Sequence, residues 1–403
     1  MFIYKAGVVG AGAMGAEIAQ VITYAGLPVV LKDMNEELVQ KGIARIRSIY
    51  ERRVSKGKMT QTEMEGKLSL VIPATNYEAF RDVDIVIEAV PEKMELKKQV
   101  FQDLEKVAGE GTLLASNTSA LSISEIASAT KRPQKVVGMH FFFPAAVMKL
   151  VEVIPGLATA PETVDDVVLF AESLRKIPVR VNECAGFLVN RLLMPYLNEA
   201  AYCLQEGAAG REDIDKAATD FGLPMGPFTL VDQLGIDVCY DVVRVLLNSY
   251  GNRMQPAEIW GKLYQAKYFG RKTGAGFYTY DPDKKDSLAQ WVKEVQTDKS
   301  KKSAFSLERL LFPMINEAAL CLEENVASAS DIDLAMVAGT GFPQEKGGLL
   351  RYADEVGLDE ILKKIETFHR EHGERFWPAP RLRRMVGAGF LGKKCGRGFH
   401  IYG

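Results

Sequence analysis

The stretch AGVVGAGAMGAEIAQV (residues 6–21), together with VVLKD (residues 29–33), decides the fold of the first part of this chain. The apolar residues before Gly10 predict a short buried strand, and those after Gly15 predict a helix. A second apolar strand follows and ends at Asp33. A strand, a glycine-rich turn, a helix and a second strand in this order predict a parallel βαβ unit.

Each glycine of the turn has a separate function in such a unit. Gly10 permits the tight turn, Gly12 lets the backbone approach a pyrophosphate, and Gly15 lets the helix pack closely on the strand. The helix N-terminus offers N–H groups to that pyrophosphate. Asp33 can accept hydrogen bonds from the adenosine ribose and would repel the 2′-phosphate of NADP. We therefore predict NAD as the cofactor, held by Asp33 and by the turn residues Gly10, Ala11, Gly12, Ala13, Met14 and Gly15.

The composition is that of an ordinary globular protein with several domains. The 403 residues are 47% hydrophobic and 25% charged, and the net charge is −2. This charge gives no sign of nucleic acid or an anionic membrane as a partner. No apolar run approaches a membrane span, and the first strand follows Lys5 at once, so we expect no targeting peptide and a cytoplasmic location. The five cysteines form no C-x-x-C pair, and we expect reduced core residues and no metal site.

Further apolar runs at residues 84–88, 112–116 and 135–139 alternate with helical stretches. This alternation predicts a mostly parallel, doubly wound sheet. The helical stretch over residues 36–58 ends in a basic segment that contains Arg53 and Lys56. Two interpretations stay open for that segment: a solvated helix end, or a clamp for an anionic ligand tail such as the phosphates of coenzyme A.

A histidine and a glutamate form the candidate catalytic pair. His140 ends a predicted strand, and Glu152 interrupts the apolar strand MKLVEV (residues 148–153). A lone carboxylate in that setting needs a partner, and the histidine is the economical candidate. The pair suits alcohol oxidation: His140 removes the hydroxyl proton, Glu152 fixes the tautomer, and Ser119 binds the reacting oxygen. The alternative is a core histidine that is unrelated to Glu152. We interpret His369, His372 and His400 as exposed or structural.

Five motifs in order give the chain a specific resemblance to the L-3-hydroxyacyl-CoA dehydrogenase family. They are NTS (117–119), HFF (140–142), MKLVEV (148–153), GFLVNRL (186–192) and KTGAGFY (272–278). The resemblance implies a Rossmann-type α/β domain followed by helical domains like the C-terminal domain of 6-phosphogluconate dehydrogenase. It also implies reversible oxidation of (S)-3-hydroxyacyl-CoA to 3-oxoacyl-CoA with NAD⁺, in fatty-acid β-oxidation or butanoate-type metabolism.

The resemblance implies a role for each candidate residue. His140 would be the general base oriented by Glu152, and Ser119 and Asn190 would hold the hydroxyl and thioester oxygens of the substrate. Further residues would contact NAD and the phosphates of coenzyme A. These are Glu92, Lys97, Ser119 and Lys272 for NAD, and Arg53 and Lys56 for coenzyme A.

One residue departs from the family pattern His-Phe-Phe-Asn-Pro. Phe143 stands at the position of the asparagine. In the family this amide contacts the cofactor near the reaction centre, so the nicotinamide half of NAD loses a hydrogen bond. We predict that Phe143→Asn strengthens NADH binding.

The C-terminal half is an internal repeat. NRLLMP (190–195) aligns with ERLLFP (308–313), and KTGAGF (272–277) aligns with KCGRGF (394–399). The predicted domains are residues 1–183, 184–282 and 304–403, with a polar, lysine-rich linker over residues 281–303. Asn190 becomes Glu308, so we expect the second copy to be structural.

Single-copy relatives dimerise through the helical domain, as the resemblance implies. A second copy in the same chain would cover that face and make a monomeric pseudo-dimer, and a homodimer is the alternative. Two other functions stay open: a hydroxy-acid dehydrogenase that does not use coenzyme A, and a non-catalytic NAD-binding protein of the lens-crystallin kind. The intact set of Ser119, His140, Glu152 and Asn190 argues against the latter. The acyl chain length stays open.

Overall fold

A computed structural model describes residues 1–296 and 304–403 of the chain. These residues form two compact units, Met1–Phe187 and Leu188–Gly403. The division falls a few residues after the predicted boundary at 183/184.

The first unit is an eight-stranded sheet flanked by helices. The strands are β1 (Ala6–Val9), β2 (Val29–Lys32), β3 (Val71–Ala74), β4 (Ile85–Glu88), β5 (Leu113–Ser116), β6 (Val136–Phe141), β7 (Leu150–Pro155) and β8 (Ile177–Arg180). The helices are α1 (Ala13–Ala25), α2 (Glu36–Ser55), α3 (Gln61–Leu68), α4 (Met94–Val107), α5 (Ile123–Ala127) and α6 (Pro161–Ser173).

The strand order is β3-β2-β1-β4-β5-β6-β7-β8, and every neighbouring pair is parallel except β6 and β7. Strands β1, β2, β4 and β5 are buried along their whole length. That burial explains why their sequences read as continuous apolar runs rather than as an alternating pattern. The predicted Rossmann-type sheet is confirmed.

This topology determines where the polar residues meet. Because β1, β4, β5 and β6 run parallel, their carboxyl ends share one edge of the sheet, where such folds bind ligands. The antiparallel pairing of β6 with β7 sets His140 directly opposite Glu152. A shift of one residue in this register would turn the two side chains to opposite faces.

The second unit is entirely helical in its regular structure over the described residues, and it contains the two copies of the repeat. The first copy has α7 (Val189–Gln205), α8 (Arg211–Phe221), α9 (Pro227–Leu234), α10 (Ile236–Tyr250) and α11 (Glu258–Gln265). The second has α13 (Leu307–Glu323), α14 (Ala329–Thr340), α15 (Leu349–Val356), α16 (Leu358–His372) and α17 (Pro380–Gly387). Between them lies α12 (Leu288–Val295).

Two expectations need correction. The predicted linker over residues 281–303 contains the helix α12, while its residues 297–303 lie outside the described part. Cys203, Cys239 and Cys321 are buried as expected, but Cys184 is half-buried and Cys395 is exposed. Cys395 lies in a glycine-rich turn rather than in an apolar helix.

Two features are absent from the described residues. Across residues 1–296 and 304–403, no helix combines the length and the apolar character that a membrane crossing requires. Within the same ranges, no group of three or more histidine, cysteine, aspartate or glutamate side chains is arranged to hold a metal ion.

Candidate active site

The glycine turn leaves room for a ligand where the sequence predicts one. Gly10 has a φ of 103°, in the left-handed region that favours glycine. A Cβ on Gly15 would lie 1.7 Å from the carbonyl oxygen of Gly10, so this glycine serves the packing of α1 against the turn. A Cβ on Gly12 would meet nothing within 4 Å, so the protein's own packing does not require that glycine. The open space beside Gly12 fits a pyrophosphate.

Asp33 is tied to the same turn. Its carboxylate accepts hydrogen bonds from the backbone N–H of Ala11 and from that of Met34, each at 2.7 Å. Asp33 follows β2 and therefore lies beside the glycine turn that follows β1. A carboxylate held in this place keeps further lone pairs that can accept from ribose hydroxyls. The arrangement fits the adenosine half of NAD.

His140 and Glu152 form the predicted contact. The Nδ1 atom of His140 lies 2.7 Å from an Oε atom of Glu152, and the two side chains are 6% and 0% exposed. An ionised carboxylate only accepts hydrogen bonds, so Nδ1 carries the proton and Nε2 has the free lone pair. The pair therefore has the geometry of a histidine base with an orienting carboxylate. Its role in catalysis stays a prediction.

Two aromatic rings pack on the imidazole of His140. The ring centroids of Phe142 and Phe187 lie 4.5 Å and 5.8 Å from it. Phe187 has a φ of 51°, a value that non-glycine residues rarely adopt and that the surrounding structure must hold. These contacts restrict the rotation of the histidine and keep water from its buried face.

Glu92 holds the turn that carries Ser119. One carboxylate oxygen accepts from the Thr118 hydroxyl at 2.5 Å and from the Ser119 N–H at 2.9 Å. The other oxygen lies 3.3 Å from Nζ of Lys97. The carboxylate thus joins the end of β4 to the turn after β5. The structure brings the predicted residues Glu92, Lys97 and Ser119 together in one cluster.

Lys97 is a buried part of this cluster. Its ammonium donates to both carboxylate oxygens of Glu88, at 2.8 Å and 3.0 Å, and its side chain is 1% exposed. The Ser116 hydroxyl donates to the same carboxylate at 2.6 Å. In this arrangement Lys97 holds Glu92 in place rather than presenting its charge at the surface. Its predicted contact with NAD stays a prediction.

Three residues that build this edge were not predicted from the sequence. Glu88 and Ser116 anchor Lys97, and Asn117 accepts a hydrogen bond from the Phe141 N–H at 2.8 Å. That last bond ties the turn after β5 to the strand that carries His140. The signal for Glu88 was present, since a single carboxylate ends the otherwise apolar strand IVIE (85–88) and needs a partner.

The basic end of α2 lines an open pocket of about 990 Å³ within the first unit. Arg53 donates to the Tyr24 hydroxyl at 2.7 Å, and its guanidinium lies over the Tyr24 ring. The pocket has both basic and apolar walls. Its lining includes Arg45, Arg52, Arg53, Lys56, Lys58, Phe143, Val147, Lys149, Arg175 and Lys176. A concave site with this lining agrees better with an anionic ligand than with a solvated helix end.

Two predicted site residues lie in the second unit. Asn190 is the second residue of α7 and is half-buried. Lys272 donates to Asp237 at 2.6 Å, and the second copy repeats the contact with Lys394 and Asp359. The repetition indicates that the lysine–aspartate pair is part of the helical fold. The predicted contact of Lys272 with NAD stays a prediction.

Comparison with known families agrees with this geometry. The model of the 3-hydroxyacyl-CoA dehydrogenase NAD-binding domain matches residues 5–184. The model of the C-terminal domain of that family matches residues 186–280 and 305–402, once for each helical copy. The chain belongs to the 3-hydroxyacyl-CoA dehydrogenase family. The predicted resemblance, NAD as cofactor and membership of a family of NAD-dependent oxidoreductases are confirmed.

Curated relatives of this 3-hydroxyacyl-CoA dehydrogenase family member include longer proteins. The fatty acid oxidation complex subunit alpha of Shewanella sp. (strain MR-4) is 39% identical over 394 residues, which cover 95% of this chain and 55% of the relative. The subunit alpha of Shewanella amazonensis is also 39% identical, with 96% and 56% covered. The chain thus spans about half the length of the curated relatives it matches.

Two solved structures match over the full length of their own chains. The 3-hydroxybutyryl-CoA dehydrogenase of Escherichia coli K12 has a TM-score of 0.86 and 31% identity, and the match covers 97% of this chain and 100% of that one. The (S)-3-hydroxybutyryl-CoA dehydrogenase of Ralstonia eutropha has a TM-score of 0.68 and 39% identity. The latter match covers 70% of this chain and 100% of that one.

Proposed function

We propose that this protein oxidises (S)-3-hydroxyacyl-CoA to 3-oxoacyl-CoA reversibly, with NAD⁺ as the hydride acceptor. The observation that carries the proposal is the buried contact of 2.7 Å between His140 and Glu152, at the sheet edge that also carries the glycine turn and Ser119. Two of the solved relatives are 3-hydroxybutyryl-CoA dehydrogenases, which supports this choice of substrate class. A role in fatty-acid oxidation is proposed on the names of the curated relatives.

Each residue of the candidate site has a separate role in the proposed reaction. His140 takes the hydroxyl proton of the substrate on Nε2, while Glu152 stabilises the imidazolium that forms. NAD⁺, held by the glycine turn and Asp33, would supply the acceptor for the hydride from C3 of the substrate. Ser119 orients the hydroxyl oxygen, and Phe142 and Phe187 keep water from the histidine. The proton and the hydride together account for the two hydrogens that the alcohol loses.

Substitution of His140 tests the catalytic role. Positioned proton transfer is worth about 10²–10⁴ in rate, so His140→Gln should lower turnover by that factor. The binding of NADH, measured by fluorescence titration, should survive because the glycine turn and Asp33 are untouched. The matched control is His369→Gln, which changes a histidine of the second unit and should leave turnover unchanged. Full activity of His140→Gln with acetoacetyl-CoA and NADH would refute the mechanism.

Oxidation of a hydroxy acid without coenzyme A is the second enzymatic candidate. The basic pocket favours a coenzyme A ester, because Arg53 and Lys56 line a concave site beside apolar residues. A substrate panel from acetoacetyl-CoA upward, set against free acetoacetate, separates the two. We expect Arg53→Glu to raise the KM for acetoacetyl-CoA and to leave the KM for NADH unchanged. Equal turnover of free acetoacetate would favour the acid dehydrogenase.

We also propose that the two helical copies make a pseudo-dimer within one chain. The proposal rests on reciprocal ion pairs between α7 and α13. Arg191 pairs with Glu317 at 2.7 Å, and Arg309 pairs with Glu199, which occupies the equivalent place in the other copy, at the same distance. Such a self-complementary contact is what a two-fold dimer interface requires.

A further inference from the structure

The first helical copy has a groove that a helix of the same chain fills. The helix α12 packs against α11 and α7. The ring of its Trp291 meets Tyr268 edge-on with centroids 5.1 Å apart, and its Glu294 pairs with Lys262 at 2.9 Å. Leu288 and Val295 of α12 are buried. An amphipathic helix with an aromatic residue and an acidic residue is therefore the occupant of this groove.

The second copy has an equivalent groove beside α17, which packs on α13 as α11 packs on α7. The short antiparallel bridges Gly270–Ala275 and Gly392–Arg397 mark equivalent positions, which differ by the same offset along this part of the repeat. By that offset Lys262 corresponds to Arg384, and Tyr268 corresponds to Phe390. Among residues 1–296 and 304–403, no helix packs into the second groove as α12 packs into the first.

Equivalent apolar residues of the two copies differ in exposure, in agreement with the lack of a helix in the second groove. Leu263 and Phe277 of the first copy are fully buried, while their equivalents Met385 and Phe399 are only half-buried. Ile401, beside them, is 81% exposed. A cavity of about 450 Å³ lies at this place, lined by these three residues together with Phe390 and three arginines. An apolar surface of this kind is typical of a docking site for a helix.

The positive charge of the groove favours a helix with acidic residues. Its lining contains Arg381, Arg384 and Arg397. Arg384 pairs with Glu323 at 2.9 Å, and the guanidinium of Arg397 lies over the Phe390 ring at 3.9 Å. The positive charge of the three arginines exceeds the negative charge of the one carboxylate that pairs with them, so the groove is positively charged. In the first copy the corresponding residues are Ile259, Lys262 and Ala275, so the second groove is more basic than the first.

We propose that the open groove on the second helical copy binds an acidic amphipathic helix of a partner protein, seated as α12 is seated in the first copy. The apolar face of the helix would cover Met385, Phe399 and Ile401. Its acidic residues would meet Arg384 and Arg397, as Glu294 meets Lys262 in the first copy. This proposal is independent of the dehydrogenase chemistry, because no residue of the candidate active site takes part.

A peptide made from α12 provides the probe. The synthetic peptide KKDSLAQWVKEVQ (residues 284–296) and a version with Lys293→Glu are labelled and titrated with the full chain by fluorescence anisotropy. The resident α12 keeps the first groove filled, because its effective concentration in the chain far exceeds that of an added peptide. We expect saturable binding of both peptides, with the acidified version tighter, and at least about tenfold weaker binding to Arg384→Glu.

Three controls make the test decisive. Arg370→Glu reverses an exposed charge elsewhere on the second copy and should leave binding unchanged. Met385→Asp should abolish binding through the apolar face, and urea unfolding checks that each variant is folded. No saturable binding of either peptide to the wild-type chain, or equal binding to Arg384→Glu, would overturn the proposal. Self-association of the chain that Arg384→Glu abolishes would assign the groove to a second copy and overturn it too.

Discussion

Phe143 and Lys176 lie in the wall of the same basic pocket and bring opposite chemistry to it. Phe143 is 49% exposed, which makes it one of the exposed large apolar residues of the first unit. The Lys176 ammonium donates to the carbonyl oxygens of Ala145 and Met148 at 2.5 Å and 2.7 Å. The loop between β6 and β7 is therefore pinned by a lysine and carries an exposed phenylalanine where the family has an asparagine.

Phe143→Asn restores the amide of the family pattern and should tighten NADH binding. One additional hydrogen bond is worth about 0.5–1.5 kcal/mol, which corresponds to about a two- to tenfold lower Kd. A fluorescence titration with NADH measures this value, and Phe143→Leu serves as the control that removes the ring without adding an amide. Unchanged or weaker NADH binding by Phe143→Asn would contradict the prediction.

Lys176 should make the stability of the first unit depend on pH in the alkaline range. Burial lowers the pKa of Lys176 from its ordinary value of 10.5 to about 8. Between these pH values the unfolded chain keeps the proton that the folded chain has released, so a rise in pH favours folding. The free energy of unfolding should therefore rise from pH 8 to pH 10.5 in the wild type relative to Lys176→Met.

Urea unfolding at several pH values measures this difference. Lys41→Met, which removes an exposed lysine from α2, is the control and should follow the wild-type curve. Parallel curves for the wild type and Lys176→Met would show that the proton of Lys176 is not released in this range.

The buried pair of His140 and Glu152 could be predicted because each is a lone ionisable group in an apolar strand, and such groups need partners. Glu88 shows the need for a partner in the same way, but the partners of Glu88 and Asn117 could not be assigned from the sequence. Only the strand order shows that β4 and β6 both neighbour β5. The partner of a residue at a strand end is thus a property of the sheet topology.

Helix α12 shows how composition and periodicity disagree at the scale of a single element. Residues 281–303 are polar and rich in lysine, which is typical of a linker. Leu288, Trp291, Val292 and Val295 nevertheless recur at the spacing i, i+3, i+4 and i+7, which predicts an amphipathic helix. The periodicity was the better guide, since an apolar stripe is what a helix needs to pack against α11.

The ion pairs between α7 and α13 should contribute measurably to the stability of the second unit. Arg309 is fully buried and pairs with Glu199 and Glu206. Loss of one partner of a buried pair costs about 3–5 kcal/mol. Arg375 also pairs with Glu199 and Glu206, at 2.7 Å each, and should keep the loss near the lower end of this range. We expect Arg309→Met to lower the free energy of unfolding by that amount, and the double variant with Glu199→Gln to recover part of it. A double-mutant cycle by urea unfolding measures the coupling, and additive effects would contradict it.

The internal repeat places equivalent ion-pair residues in both copies of the second unit. Arg191, Glu199 and Glu206 of the first copy correspond to Arg309, Glu317 and Glu324 of the second. Each arginine pairs with the two glutamates of the other copy. The sequence alignment predicted the equivalence of the copies, but the pairing between them became visible only in three dimensions.

The contact between α7 and α13 within one chain takes the place of a dimer contact between two chains. The faces of α7 and α13 that carry Arg191 and Arg309 cover each other and are fully buried. In solution the protein should therefore be a monomer, and light scattering should give the mass of one chain, 44.5 kDa. The matched test is the double variant Arg191→Glu with Arg309→Glu. It sets like charges against the glutamates of both copies and should destabilise the second unit. A wild-type mass of two chains would contradict the pseudo-dimer, because another face would then hold the chains together.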